Sequence, residues 1–373
     1  MKSTVALVLL ASTLSARDAS ASASLSLLES ETLPRAKAEA EGLLAPSDDV
    51  SPGTPGLDVR SPEGRVYHVA LNGDDSTGDG SQARPYRTVA KAADVVPAHA
   101  GHTIQVGAGT FDEMRRIVLK ERVNLLGAGL DVTLIRGGEW DGEGGGLIDL
   151  VSRVPDPSGA EIPAFEHEGK AQGPFIRYLP VDSPQELSGF SMDGQNKGAS
   201  GIRVVNRGGV NIHHVKIKHY AWAGIYSSSE GYAGVRNLRV SDFEISESSL
   251  ESTSRSWGNI TLRGTHEGAL IQNGRIEHVT APPRPEGEHT GPGPAFKALR
   301  SWEDTARKQD ELRGSRLLNI VQRGKDSAPW ARYRTAHLGF EFRNIGADGV
   351  EIAHCDFNAA MSLELNAPID QYP

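Results

Sequence analysis

One apolar phrase recurs six times between Leu187 and Phe357: a hydrophobic position, a second three places on, and a third two places after that. The copies are Leu187/Phe190/Met192, Ile212/Val215/Ile217, Val240/Phe243/Ile245, Ile271/Gly274/Ile276, Leu312/Ser315/Leu317 and Ile352/Cys355/Phe357. Their first members lie 25, 28, 31, 41 and 40 residues apart. That is too irregular for helical repeats but suits the rungs of a solenoid whose loops vary in length. Each copy is short, β-branched or aromatic, and bounded by Gly, Asn or Ser, so it reads as a strand that turns inward again after a bend. Stacked rungs of this kind make an all-β, single-stranded parallel β-helix. Function then falls to outward side chains and long loops, because the inward positions are consumed by the core.

Composition agrees: 42 Gly and 6% aromatic residues suit many tight corners around a thin aliphatic core. A formal net charge of −9 argues against nucleic acid as a partner, since phosphate neutralisation needs a positive surface. It still admits an acidic polymer wherever positive charge is concentrated locally. Cys355 is the only cysteine, so no internal disulfide forms, and its place in the sixth phrase reads as a small core position. Lys2, the apolar run Val5–Ala11 and the small-residue sites Ala19-Ser20-Ala21 and Ala21-Ser22-Ala23 make residues 1–23 an export signal. The run is too short for a transmembrane anchor, so the expected location is extracellular, or periplasmic if retained. Residues 24–65 mix Ser, Ala, Glu and Pro without periodicity and read as a disordered leader, with a short helix over Ala36–Leu44.

Folding proper begins at Val66, giving a β-helix domain over 66–373. Val66 to Gly73 is a strand into a turn, Pro85 to Val96 starts with a short amphipathic helix, and Thr103–Val106 is a further strand. The series from Tyr67 through "NGDDSTGDGSQARPYRTVAKAADVV" to "GHTIQVGAGTFDE" resembles the entry segment of secreted β-helix proteins of the pectin-lyase-like superfamily. "GVNIHHVKIKHYAWAGIYSSS" is similar to the repeat rungs of that superfamily. The resemblance covers about Val66 to Asn366 and implies a right-handed parallel β-helix with an N-terminal capping helix and long loop excursions. It implies no single activity, because lyases, hydrolases, epimerases, tailspikes and adhesins share the fold. The Trp-Ile-Asp-His of pectate lyases, the Asn-Thr-Asp and Arg-Ile-Lys of polygalacturonases and the Asp-Pro-His-Glu of alginate epimerases are missing.

From Gly194 to Ser229 the chain runs 36 residues without an Asp or Glu, while carrying Lys197, Arg203, Arg207, His213, His214, Lys216, Lys218 and His219, with Tyr220, Trp222 and Tyr226 interleaved. A cationic stripe with flat rings is what an acidic extracellular polysaccharide requires: cations for carboxylates, aromatics for sugar faces. A solvated edge of one rung is the structural alternative. Arg203, Arg207, His214, Tyr220, Trp222 and Tyr226 are the expected substrate contacts. Lys216 and Lys218 flank inward Ile217 and so share an outward face.

Aligned phrases place Ser191, Lys216, Glu244, Arg275, Arg316 and Asp356 in one outward ladder, and Gly194, His219, Glu247, His278, Asn319 and Ala359 in a second. As structure, this is a cross-strand ion-pair ladder. As chemistry, Lys216, Lys218, His219, Arg275 and His278 hold the parts of β-elimination: a cation for the uronate carboxylate, a base for the acidified C–H and an acid for the leaving oxygen. Asp242, Glu244 and Glu247 form an adjacent acidic group. In uronate lyases of the superfamily such carboxylates often hold Ca²⁺, for which hard oxygens are suitable. The same carboxylates could instead serve a glycosidase. His213 and His214, adjacent on a strand, should point to opposite faces and not share a zinc ion. Glu341, Arg343, Glu351, His354, Asp356, Asn358, Glu364 and Asn366 form a second polar group, read as strand residues facing water.

Two excursions, Gly137–Glu186 and Thr280–Glu311, could wall a groove, and Phe296–Leu312 reads as a solvated helix or extended arm. The leading functional expectation is a secreted polysaccharide lyase. The alternatives are a non-catalytic carbohydrate-binding or tailspike-like module and, third, a glycoside hydrolase. The final rung lacks an evident cap, so Ala367–Pro373 should close it or that end should self-associate.

Overall fold

The computed structural model describes residues 7–8, 64–137, 145–167, 169–196, 200–249, 258–278, 294–301, 310–324, 338–357 and 360–365. The chain divides into two units, and the second, Ser12–Asp58, lies outside the described residues, as does most of the expected signal and leader.

Strands of the first unit stack as parallel ladders. The first sheet runs Val66–Val69, Thr103–Val106, Asn124–Leu126, Val181–Asp193, Arg207–Lys218, Arg239–Ser246, Leu270–His278, Arg316–Gly324 and Glu351–Ala353. The second runs Ile117–Val118, Gly146–Val151, Ser200–Val205, Ala223–Ser228, Ile260–Arg263, Phe296–Leu299, Leu338–Asp348 and Ala360–Leu365. Short strands at Val235–Arg236, His266–Glu267 and Glu311–Arg313 form a third face. The chain alternates between faces turn after turn, and the crossovers make a right-handed parallel β-helix.

The three-then-two spacing has a physical cause. Just before the second apolar residue of each rung the backbone enters positive φ, at Gly189 (74°), His214 (49°), Asp242 (51°), Asn273 (53°), Asn319 (51°) and His354 (55°). Glycine and short polar side chains tolerate that region best. The bend resets the alternation of faces, so Ile212 and Val215 both point inward despite their odd separation, and Leu187, Phe190, Ile212, Val215, Val240, Phe243 and Ile271 join one continuous core. Gly274 takes a second place because the Phe243 ring of the neighbouring rung fills its space: a Cβ there would lie 1.9 Å from that ring.

The fifth phrase is displaced from its expected position. Leu317 pairs with Ile271 and Ile320 with Gly274, so the rung reads Leu317/Ile320/Gln322, bent at Asn319. Leu312 belongs to the third face, opposite His266. Gly314 is also a positive-φ bend, which reproduces the phrase's spacing one corner too early. Arg316 therefore leaves the expected ladder, and Val321 stands beside Arg275. In the second ladder Gly324, not Asn319, stands beside His278.

The N-terminal helix forms over Val89–Val95, N-capped by Thr88, and buries Val89, Ala90, Ala92 and Ala93 against the core. Its first N–H groups, on Val89 and Ala90, donate to the Glu113 carboxylate at 2.7 and 3.1 Å. The first excursion contains the rung strand Gly146–Val151, then an antiparallel arm in which Val154–Pro155 pairs Tyr178–Leu179, Glu161–Ile162 pairs Phe175–Ile176, and Phe165–His167 pairs Lys170–Gln172. The expected helix or arm over Phe296–Leu312 is corrected: Phe296–Leu299 is a buried second-sheet strand, because Phe296 and Ala298 alternate inward. Leu7–Val8 pairs antiparallel with Glu351–Ile352 of the last first-sheet rung, while Ala367–Pro373 lies outside the described residues. No described helix is long and apolar enough to cross a membrane.

Candidate functional site

Two outward faces carry chemistry. On the first sheet a cavity of about 480 Å³ is lined by Thr110, Leu130, Asp131, Val132, Leu134, Ser191, Met192, Lys216, Lys218, Glu244 and Ser246. Lys216 and Lys218 thus share one face. The Lys216 amine lies 2.8 Å from Asp131, and this hydrogen bond raises its pKa above the usual lysine value. A lysine held more firmly protonated is a cation and a poor base. Lys218 pairs with Asp193 at 3.2 Å, and Asp193 also receives His219 Nδ1 at 2.9 Å. Burial pushes the Asp193 carboxyl up, but the Gln195 N–H, His219 and Lys218 outweigh it and leave its pKa lowered.

Of the remaining expected catalytic residues, Arg275 does not join them. Arg275 stands beside Glu244 in the ladder but bonds Glu277 on its own strand. His278 ends its strand opposite Gly324, and its side chain lies outside the described residues.

Several expected substrate contacts are interior. Arg207 is buried and donates to the carbonyls of Leu119 and Val151, to Gln185 and to Ser152, and desolvation lowers its pKa to about 10. Tyr220 is fully buried, its hydroxyl has no hydrogen-bond partner, and burial holds its pKa well above the ordinary value. Neither can meet a polymer. Both follow the bends at Asn206 and His219, where the strand-by-strand assignment of faces fails. Arg203 and Tyr226 lie on the second sheet, Trp222 is half-buried, and only His214 is exposed at the first sheet's bend. The same bend overturns the expected divergence of the paired histidines: His213 Nδ1 and His214 Nδ1 lie 2.9 Å apart, with His213 also 3.1 Å from Glu186.

Asp242, Glu244 and Glu247 are not gathered into a calcium cage. Asp242 is at a bend bonded by Asn273, Glu244 faces outward, and Glu247 is buried at a second bend. Among the described residues no three His, Cys, Asp or Glu side chains come together as metal ligands. The residues therefore do not fit the expected ion.

The second sheet carries a row the sequence reading missed. Its inward positions, Ile148, Ile202, Ile225, Ile260, Phe296 and Phe340, belong to the core, and the next residue outward in each rung is Asp149, Arg203, Tyr226, Thr261, Lys297 and Glu341. Outward residues of a solenoid ordinarily meet water, but these are largely buried. Lys297 is 0% exposed and its amine lies 2.9 Å from Glu341. A Cβ at Gly258 would meet the Lys297 Cβ at 3.0 Å, so the backbone entering the neighbouring strand lies close against Lys297. Arg203 forks onto Asp149 at 2.8 and 3.0 Å. Two residues beyond Thr261 and Glu341, on the same outward face, stand Arg263 and Arg343. A lysine and a glutamate removed from water are costly unless paired, and such groups gather where chemistry is done.

Among curated proteins none matches the chain in sequence. A family model described as a protein of unknown function (DUF1565) matches residues 71–139, the cap and entry strands. Solved structures similar to the chain include an alginate lyase from Paenibacillus sp. str. FPU-7, 13% identical over 76% of this chain and 74% of that one, with a TM-score of 0.43. A pectate lyase is 12% identical over 80% of this chain and 64% of its own, with a TM-score of 0.44. A pectin methylesterase from carrot is 10% identical over 77% of this chain and 83% of its own, with a TM-score of 0.34. These are likenesses of fold.

Proposed function

We propose that the chain is a secreted, carbohydrate-active β-helix protein that cleaves a uronate-containing polysaccharide by β-elimination on the outer face of its second sheet. The observation that supports this reading is the Lys297–Glu341 pair, outward-facing yet shielded from water. β-Elimination needs a cation on the uronate carboxylate to acidify the neighbouring C–H, a base to take that proton and an acid to protonate the departing oxygen. Arg263 and Arg343, on alternate rungs, supply guanidinium groups. Glu341, at 9% exposed the more accessible of the two, takes the proton from carbon and water protonates the departing oxygen, so that the C–H and C–O bonds break as a C=C bond forms, while the fully buried Lys297 holds the carboxylate in place. Paired-carboxylate hydrolysis finds less support in this row. Asp149 and Glu341 are five rung steps apart, about 24 Å at about 4.8 Å per step, against the roughly 5–9.5 Å such chemistry uses.

The test is ultraviolet absorbance of unsaturated uronate, measured over alginate, pectate and glycosaminoglycans. Lys297→Ala and Glu341→Gln should each lower the rate by about 100-fold or more, with folding checked by circular dichroism. Reducing ends without the chromophore would indicate hydrolysis instead. Undiminished turnover by both variants would move the site elsewhere, and glycan binding without any product would favour a binding module.

A further inference from the structure

The first-sheet cavity is not used by that chemistry, and its charges are arranged in an informative way. Lys218 is matched from within the sheet by Asp193, and Glu244 is the ladder neighbour of Lys216. The remaining partner, Asp131, comes from elsewhere: it sits on the turn between Gly129 and Val132 and reaches Lys216 from 85 residues away. The turn is firmly built. The N–H groups of Val132 and Thr133 donate to Gly129, Thr133 Oγ1 accepts from Ala128 and donates to Gly107, and Ser191 donates to Leu130. The Asp131 side chain itself is 82% exposed. An exposed pair of this kind is easily broken, and its carboxylate can swing into water without disturbing the turn.

We propose that this cavity is a second glycan site, taking a carboxylate-bearing sugar, and that Asp131 occupies the place of the ligand's carboxylate until displaced by it. The cavity's volume falls within the range of about 300–1,000 Å³ usual for small-ligand clefts. Leu130, Val132 and Leu134 offer an apolar wall for a sugar ring, and Thr110, Ser191, Ser246 and Glu244 offer hydroxyl and carboxylate partners for its hydroxyls. Lys216 and Lys218 receive the incoming anion. Asp131 acts as a specificity gate, because a neutral sugar has nothing with which to replace it on Lys216. The ligand class rests on the uronate reading above.

Titration calorimetry with galacturonate and mannuronate oligomers and neutral oligosaccharides, on a Lys297→Ala background that prevents turnover, tests the gate. Asp131→Asn should tighten uronate binding about two- to fivefold, the worth of one exposed ion pair, and leave neutral oligosaccharides unchanged. The gain should vanish when Lys216→Met is added. Equal or weaker uronate binding by Asp131→Asn, or an equal gain with Lys216→Met present, overturns the proposal. Turnover is read separately, so a failed gate with intact lyase activity leaves the second-sheet reading standing, and the converse also holds.

Discussion

His266 is buried where the second and third faces meet, with Nδ1 3.0 Å from the Gly264 carbonyl and Nε2 2.8 Å from Ser227 Oγ. Nδ1 can only donate to a carbonyl, and burial disfavours the charged ring, so the ring is neutral and Nε2 accepts from the serine. Burial lowers its pKa from 6.5 to about 4. The folded protein therefore binds this proton less readily than the unfolded chain. Stability contributed by the neutral ring is fully present above pH 6.5 and falls as pH drops from 6.5 towards 4, by about 3 kcal/mol over the interval. Denaturant titrations between those limits should show this slope, and His266→Asn should flatten it. An unchanged slope would assign the acid sensitivity to other groups. Neither His266 nor Arg207 was legible in sequence, because a polar residue's burial depends on which corner of the rung it occupies. Arg207 falls within the cationic stretch of the sequence, yet it joins the carbonyls of Leu119 and Val151 on other rungs.

At the scale of the strand, the bends form a ladder of their own. Asn319 donates to Asn273 at 2.9 Å, and Asn273 donates to Asp242 at 3.2 Å. Asn273→Ala removes both bonds and places a Cβ-bearing residue without local hydrogen bonding at a φ of 53°. We expect a loss of about 1–3 kcal/mol. Asn273→Gly should recover the conformational part, so glycine melting above alanine supports backbone strain as the cause, and equal melting would assign the loss to the amide bonds. The spacing of this bend made the first-sheet phrase readable, and Gly314 misled it by bending in the same way nearby. The second sheet has a phrase too: Ile148-Asp-Leu, Ile202-Arg-Val, Ile260-Thr-Leu, Phe296-Lys-Ala and Phe340-Glu-Phe all alternate in, out, in. Alternation alone assigns the middle residues to water, as it did for Glu341. Only the exposure found in the fold, 0% at Lys297, reveals the row as sheltered, and no repeated spacing in the sequence marks it.

Across the whole molecule, the apolar phrases form one interior from the capping helix to the last described rungs, as their shared spacing led us to expect. Phe243→Asp tests this continuity. Phe243 is buried and its ring fills the space left by Gly274 on the next rung, so a carboxylate there is unpaired and leaves a void. The variant should be grossly destabilised, by several kcal/mol, and retention of the parent melting temperature would show the rungs to be independently packed. The parallel ladders also have a mechanical meaning. Their hydrogen bonds lie along the solenoid axis and each rung is joined mainly to the one before and the one after. Tension applied at the C-terminal end loads the bonds of the last rung first and those of inner rungs only after it has peeled away. Such a chain yields like an unwinding spring, in a succession of small releases, and its resistance is set by the weakest remaining turn, with little dependence on how many turns lie behind it.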